Sequence, residues 1–224
     1  NHSGCPMPLA IFDLDNTLIA GDSDYSWGAF LVAQKKVDQA LYKSMNEQFF
    51  ADYEAGTLDI LAYLAFSLAP LIGMSAYNLE QLHSKFMDEV VQPMKLPKAL
   101  ELIEKHRQAG DRLLVITATN RCIIEPIVLS LGIDEFLSTE PEFVNGRITG
   151  KIVGTPTFRE GKVERLNAWL EENHETLSGS YFYSDSINDL PLLSAVDKPV
   201  AVDPDDSLRQ MAGEQGWDII SLRD

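Results

Sequence analysis

Beyond residue 97, short continuous apolar runs alternate with amphipathic stretches. The runs predict buried strands, and the stretches, with apolar residues three and four positions apart, predict helices. A further run, "PLAIF" at residues 8–12, predicts a first buried strand. The later strands are predicted at residues 112–117, 180–184 and 199–203, and the strand at 199–203 is predicted to be the last one of the sheet. The helices are predicted at residues 98–110, 121–132, 161–174 and 188–196. This alternation indicates an α/β fold with a parallel sheet and right-handed crossover connections.

Two segments depart from this alternation. Asn145-Gly146, set between extended residues, predicts a β-hairpin. Between residues 26 and 91, apolar residues recur at mixed helical spacings, which predicts several helices broken near Gly56 and at "PLIGMS", residues 70–75. The predicted fold is therefore a Rossmann-like parallel sheet core with a helical cap domain inserted after the first strand. We assign residues 7–21 and 92–224 to the core and residues 22–91 to the cap.

Composition narrows the class of partner. The 224 residues are 45% hydrophobic, which suits a soluble domain with a sizeable core. The net charge of −16 argues against nucleic acid or an anionic membrane as a partner. The longest apolar run, residues 61–74, is broken by Pro70 and Gly73 and is too short to span a bilayer. Two cysteines, Cys5 and Cys122, give no disulfide framework, so we expect a cytoplasmic protein.

Polar residues follow three of the predicted strands at the point where each strand ends. Because the carboxyl ends of parallel strands meet at one edge of a sheet, we expect these residues to form a single site. They are Asp13 and Asp15 after the first strand; Thr117, Ala118, Thr119 and Asn120 after the second; Asp185, Ser186, Asn188 and Asp189 after the third; and Lys162, which opens a helix between the last two groups.

The chemistry of this set points to phosphate transfer. Asp13, Asp15 and Asp185 would repel one another if packed together, so a cation is expected among them. Oxygen ligands favour Mg²⁺ over zinc. The Thr117 hydroxyl and the Lys162 ammonium suit phosphate oxygens. One carboxylate can attack phosphorus to form an aspartyl-phosphate, and a second, at Asp15, can protonate the leaving oxygen and then deprotonate water.

Four segments in order resemble the motifs of the haloacid dehalogenase superfamily of phosphohydrolases. They are "DLDNT" at residues 13–17, "VITAT" at 115–119, "GK" at 161–162 and "YSDSINDLPLL" at 183–193. The helical segment between the first two motifs is similar to the small cap domain of the phosphoserine-phosphatase-like branch. The resemblance therefore covers most of the chain.

This resemblance implies a role for each matching residue. Asp13 would be the nucleophile, and Asp15 would be the general acid and base, with its backbone carbonyl on the metal. Thr117 and Lys162 would hold the transferring phosphate. The implied Mg²⁺ ligands are Asp13, Asp15 and Asp185, and Asp189 would support either the water shell of the metal or Lys162.

The acidic stretch that begins at Asp13 has two other interpretations. An EF-hand calcium loop would start with the same spacing of acids, but its sixth position is Leu18 where glycine is required and its twelfth is Asp24 where glutamate is expected. The aspartates could also be plain turn formers.

Residues at the start of the cap bear on the substrate. By resemblance, Asp22 occupies the place of an acid that meets the substrate amine in phosphoserine phosphatases. Those enzymes also carry a cap arginine for the substrate carboxylate, where alignment by eye places Ala65, and no arginine lies between Gly21 and Glu104. We therefore expect a small amine-bearing phosphomonoester without a carboxylate, such as histidinol phosphate. Phosphoethanolamine, phosphocholine and phosphoserine are the alternatives.

The candidate substrate residues are Asp22, Asp24 and, beside Thr117, Ala118; Tyr25, Trp27 or Phe30 could add aromatic contact to a cation. The competing interpretation of Asp22 and Asp24 is N-capping of the first cap helix.

Two other function classes share these motifs. A phosphotransferase would pass the same aspartyl-phosphate to an alcohol, and an inactive binding module would lack a core residue, whereas none is missing. The expected partner is a small phosphorylated metabolite, with no nucleic acid and no membrane, and the expected assembly is a monomer or homodimer.

Overall fold

A computed structural model describes residues 7–223, which form a seven-stranded sheet flanked by helices. The strand order is β4-β3-β2-β1-β5-β6-β7, and every neighbouring pair is parallel except β3 and β4. The strands are β1 (Leu9–Phe12), β2 (Arg112–Asn120), β3 (Phe136–Val144), β4 (Arg147–Val153), β5 (Tyr181–Ser184), β6 (Lys198–Val202) and β7 (Asp218–Ile220). The predicted α/β fold with a Rossmann-like sheet is confirmed.

The helices fall into a block after β1 and a set that alternates with the later strands. The block comprises α1 (Ser23–Ala33), α2 (Gln39–Glu54), α3 (Ile60–Leu68) and α4 (Ala76–Phe86). The alternating set comprises α5 (Pro97–Gln108), α6 (Arg121–Ser130), α7 (Glu160–Asn173), α8 (Leu190–Leu193) and α9 (Asp206–Gln215). The chain thus leaves the sheet directly after its central strand and returns to it through α5 and β2.

Strand β1 is apolar at every position because both of its faces are covered. Leu9 and Ile11 pack in one hydrophobic cluster, on the face that also holds Phe182, while Ala10 and Phe12 pack in a second. All four strand residues are fully buried. The strand therefore runs through the centre of a three-layer core, and the residue that follows it, Asp13, lies at the carboxyl edge of the sheet.

Each helix of the block after β1 begins at a short polar side chain that accepts a hydrogen bond from the first turn. These N-caps are Asp22, Asp38, Asp59 and Ser75. Helical backbone continues past α4 as a π-helical turn (Met87–Val91) and a 3-10 turn (Gln92–Met94), so it crosses the cap boundary predicted at residues 91 and 92. The division into two domains stays a prediction.

Two predictions concern the later strands, and one of them is wrong. The hairpin prediction is confirmed, since Asn145 and Gly146 both have positive φ, the backbone of a tight hairpin turn between β3 and β4. The prediction that residues 199–203 form the last strand is wrong: α9 follows, and β7 pairs in parallel with β6. The signals were present, because Asp205 caps α9 and Gly216 ends it in a left-handed conformation.

Two further predictions concern membranes and thiols. Within residues 7–223, no helix taken by itself is long and apolar enough to cross a bilayer. One pair of helical segments, Ile60–Leu71 and Ala76–Met94, has the length and composition of a membrane span when the two are counted together, but they are bent by 104° at the break between them. The thiol of Cys122 is free and half-buried, and Cys5 lies outside the described residues.

Candidate active site

The ends of β1 and β5 bring acidic and hydroxyl side chains together at the centre of the sheet edge. Asp13 follows β1, Asp185 follows β5, and the Thr17 hydroxyl donates to Asp185 Oδ1 at 3.0 Å and lies 3.4 Å from Asp13 Oδ2. Lys162, on the first turn of α7, reaches the same place from the next layer. The convergence predicted from the strand ends is therefore present in the structure.

Lys162 joins two of the carboxylates. Its Nζ lies 3.0 Å from Asp13 Oδ1 and 2.8 Å from Asp189 Oδ1, and its side chain is 3% exposed. Burial alone would lower the pKa of Lys162, but the charges of Asp13 and Asp189 outweigh it and raise the pKa above its usual value. Asp189 also accepts from the Ser184 hydroxyl at 2.6 Å, and burial raises its pKa to about 6 despite the opposing charge of Lys162. Asp189 thus contacts Lys162 directly.

Asp13 and Asp185 form the part of the site suited to a cation. Burial and then the nearby charge of Asp13 raise the pKa of Asp185 well above its usual value, as expected for carboxylates close together with no cation between them. Within residues 7–223, no three acidic, imidazole or thiol side chains form a complete metal-ligand set. Mg²⁺ is nonetheless usually bound by only one or two protein carboxylates, because it keeps several of its water ligands. The residues present therefore fit that ion.

The Asp15 carboxylate is held away from this pair by two hydrogen bonds. Its Oδ1 accepts from the Ser23 backbone N–H at 2.6 Å, and its Oδ2 accepts from the Thr119 hydroxyl at 2.9 Å. Burial raises the pKa of Asp15, and the hydrogen bonds from Ser23 and Thr119 limit that rise. A carboxyl group that holds its proton more tightly is suited to act as an acid. The part played by Thr119 was not predicted from the sequence.

Thr117 and Ala118 lie at the end of β2 and line the same cavity as Asp13 and Lys162. The Thr117 hydroxyl oxygen accepts from the Thr119 N–H at 3.2 Å, which leaves its proton free to point into the cavity. The Ala118 carbonyl accepts from Thr139 at 2.8 Å, and this bond fixes the strand end that carries both residues.

The cavity continues from the strand ends into the helical block and is lined there by two acids, the half-buried Asp22 and the buried Asp24. The space between its lining residues, counted together with the part that is open to solvent, is about 560 Å³. Asp22 caps α1 through a 2.8 Å bond from the Tyr25 N–H, as the capping interpretation expected, and it also lines the cavity. Burial, followed by the charges of Asp15 and Asp24, raises the pKa of Asp22 well above its usual value.

Asp24 lies deeper and has a different environment. The Ser67 hydroxyl donates to its Oδ1 at 3.1 Å, and its side chain is buried against Tyr63. Burial raises the pKa of Asp24 to about 7, while the Tyr63 and Ser67 hydroxyls oppose the rise. Asp24 is therefore not a helix cap. It is a buried acid facing the cavity, supported by two hydroxyl groups of α3 that the sequence did not single out.

The aromatic residues near these acids are not all those expected. Tyr25 lines the cavity, and its ring lies 4.9 Å from that of Phe50. Trp27 and Phe30 instead pack with Phe86 in the hydrophobic core, with ring centroids 5.0 to 5.7 Å apart. Their suggested contact with the substrate is therefore wrong, because the helical period turns both rings away from the cavity.

Two contacts tie the helical block to the edge of the sheet over the site. Asn188 Nδ2 donates to the Tyr53 carbonyl at 3.0 Å, and the Arg159 guanidinium donates to the Gly56 carbonyl. Arg159 also donates to Asn188 Oδ1 at 3.2 Å and stacks on the Phe158 ring. Asn188 was among the residues predicted at the strand ends, whereas Arg159, Tyr53 and Gly56 were not predicted to contribute. Their signal was weak in the sequence because they act through backbone carbonyls.

The arrangement agrees with the comparison to known families. The model of the haloacid dehalogenase-like hydrolases matches residues 10–194. The chain belongs to this family. A histidinol-phosphatase from Neisseria meningitidis is 47% identical over 96% of this chain and 99% of its own length. The phosphoserine phosphatase SerB1 of Mycobacterium tuberculosis is 32% identical over 96% of this chain and 70% of its own.

Solved structures show the same fold. A Bordetella pertussis protein of unknown function superposes with a TM-score of 0.91 at 40% identity, covering 97% of this chain and 100% of its own. A substrate-bound phosphoserine phosphatase superposes with a TM-score of 0.70 at 16% identity, covering 98% and 95%. Family and relatives together make this haloacid dehalogenase-like hydrolase a phosphoric monoester hydrolase.

Proposed function

We propose that this hydrolase is a Mg²⁺-dependent phosphatase that works through an aspartyl-phosphate and acts on a small amine-bearing phosphomonoester, with histidinol phosphate as the leading candidate. In this proposal residues 22–91 form a cap over the site. The observation that carries the proposal is the charge of the cavity: two acids at the cap end, Asp22 and Asp24, and Lys162 as the one cationic side chain among the described residues that line it.

The residues at the strand ends support a two-step displacement. Asp13 attacks phosphorus while the P–O bond to the alcohol breaks, and Asp15 gives its proton to the departing oxygen. Asp15 then takes a proton from water, the water oxygen bonds to phosphorus, and the bond from Asp13 breaks to release inorganic phosphate. Lys162, paired with Asp13 at 3.0 Å, and the Thr117 hydroxyl hold the phosphoryl oxygens in this scheme.

Asp13, Asp185 and the backbone carbonyl of Asp15 would hold Mg²⁺. The ion would supply positive charge for the phosphoryl oxygens. Without the positive charge of Mg²⁺, the site would not attract a phosphate, because the ammonium of Lys162 is already paired with Asp13 and Asp189.

The cap end of the cavity supports an amine on the substrate. Asp24 is buried, Asp22 is half-buried, and both face the cavity, where ionised carboxylates favour a cation. Arg159, the arginine near this region, is occupied by the Gly56 carbonyl and Asn188. A substrate carboxylate would thus meet two acids and no free guanidinium. The 47% identity to a histidinol-phosphatase points to the same amine class.

A phosphate-release screen tests this proposal. The panel comprises histidinol phosphate, phosphoethanolamine, phosphocholine, phosphoserine and a sugar phosphate, each with Mg²⁺ and with EDTA. We expect the greatest kcat/KM with histidinol phosphate, loss of activity in EDTA, and loss of activity in Asp13→Asn. Preference for phosphoserine or for the sugar phosphate would refute the substrate assignment, and an active Asp13→Asn variant would refute the nucleophile.

A further inference from the structure

Tyr53, at the carboxyl end of α2, brings a hydroxyl group from the helical block into the reaction centre. It lines the same cavity as Asp13, and its ring centroid lies 6.5 Å from that of Phe158. Burial, followed by the charges of Asp13 and Asp185, raises the pKa of Tyr53 well above its usual value, and a hydrogen bond with the Ser186 side chain opposes the rise. Among the cavity-lining residues of α2, Phe49 and Phe50 pack against Tyr63 and Tyr25, whereas the Tyr53 carbonyl is bound by Asn188 at the edge of the sheet.

The backbone and ring of Tyr53 are fixed independently of its hydroxyl. The Tyr53 carbonyl accepts from Asn188 Nδ2 at 3.0 Å, and three residues later the Gly56 carbonyl accepts from Arg159. Arg159 also donates to Asn188 Oδ1 at 3.2 Å, so the two contacts form one connected group across the interface. The position of the phenol ring is therefore set by main-chain contacts and by packing near Phe158.

We propose that the Tyr53 hydroxyl is a catalytic group supplied by the cap, which donates a hydrogen bond to a non-bridging oxygen of the transferring phosphoryl group. The inference rests on the proposed nucleophilic role of Asp13. Phosphoryl transfer spreads negative charge over three equatorial oxygens, and positioned donors stabilise that charge. Lys162 and Thr117 approach from the sheet side, and Tyr53 adds a donor from the opposite, cap side.

A neutral donor suits this place for an electrostatic reason. The surroundings are already rich in carboxylates, so a further acceptor would repel the phosphate. A phenol has an ordinary pKa near 10 and keeps its proton at neutral pH. With no phosphate bound, the Ser186 hydroxyl is its neighbour. The bond to phosphate forms only when the cap lies against the sheet, which couples closure of the cavity to the chemistry.

The test is Tyr53→Phe, which removes the hydroxyl while keeping the ring and the carbonyl that binds Asn188. Tyr77→Phe, the same change at a 69% exposed position on α4, is the matched control. The readouts are kcat and KM on the best substrate of the screen, the Kd of orthovanadate, whose five-coordinate geometry imitates the transferring phosphoryl group, and the midpoint of thermal unfolding.

We expect Tyr53→Phe to lower kcat about 10-fold or more, and to weaken orthovanadate binding about 10-fold, the effect of one hydrogen bond to a charged group. KM and the unfolding midpoint should stay near those of wild type, and Tyr77→Phe should match wild type throughout. If Tyr53→Phe keeps kcat and vanadate affinity within twofold of an active wild type, the inference fails while the proposed function stands. A wild type that hydrolyses no phosphomonoester overturns both.

Discussion

Asp24→Asn should stabilise the free protein at neutral and alkaline pH while impairing its activity. Asp24 is 7% exposed, and burial raises its pKa from 3.8 to about 7. One pH unit of difference corresponds to about 1.4 kcal/mol, so ionised Asp24 is destabilising by about 4 kcal/mol in the folded state. Asparagine has no charge to desolvate, and its Oδ1 can still accept from the Ser67 hydroxyl.

The sign of the pH dependence follows from the raised pKa. Between pH 4 and 7 the unfolded chain has lost the Asp24 proton and the folded protein still holds it, so stability falls as the pH rises. Below pH 4 both states are protonated and the group adds no penalty. The stability gain of Asp24→Asn should therefore be small near pH 4.5, grow up to pH 7, and stay constant above it.

Urea unfolding at pH 4.5, 6 and 8 measures this gain, with Asp88→Asn as a control for removing one acid from an exposed position in the π-helical turn that follows α4. The free energy of unfolding should rise in Asp24→Asn by a few kcal/mol at pH 8. Its kcat/KM for histidinol phosphate should fall at least 10-fold, with less effect on an ester that has no amine. A gain that is equal at pH 4.5 and pH 8, or no gain, would show that Asp24 is not a buried strained acid.

Two further predictions concern buried polar contacts. His106→Leu should lower the free energy of unfolding by about 2–4 kcal/mol in urea titrations, because Asp111 and the Tyr183 hydroxyl, each 2.7 Å from the imidazole, lose a buried partner; a loss below 0.5 kcal/mol would contradict this. Lys162→Met should abolish activity and, in EDTA, lower stability by about 3 kcal/mol, since Asp13 keeps no cation. Mg²⁺ should restore part of that stability, and an equal loss with and without Mg²⁺ would count against the site.

The sequence predicted those parts of the molecule that depend on local patterns. The fully apolar β1 and the Asn145-Gly146 turn each indicate one structure through burial or positive φ. The convergence of Asp13, Thr117 and Asp185 followed from the rule that parallel strands end at one edge. The same kind of signal is present for α9, whose ends are marked by Asp205 and Gly216.

The rest depended on three-dimensional proximity. Tyr63 and Ser67 support Asp24 because α3 packs beside the start of α1, and no spacing in the sequence shows which face of α3 turns inward. Arg159 reaches a cap carbonyl although no arginine lies within the cap itself. Contacts to backbone carbonyls leave little trace in residue type, so the cap interface could not be predicted.

The charges along the cavity decide which substrates it can accept. At the sheet edge, Asp13, Asp185 and Asp189 outnumber the ammonium of Lys162, so in the proposed function a phosphate dianion would bind there together with a divalent cation. With that cation in place the cavity would be positive at one end and negative at the other. A metabolite with phosphate at one end and an ammonium at the other matches both ends.

A carboxylate beside that ammonium would offset the positive charge that Asp22 and Asp24 require. Among the described residues that line the cap end of the cavity, no cationic side chain would pair with such a carboxylate. The imidazole of histidinol phosphate offers instead a second N–H donor for the second acid. In the proposed function, selection of the amine and rejection of phosphoserine would both follow from Asp22 and Asp24.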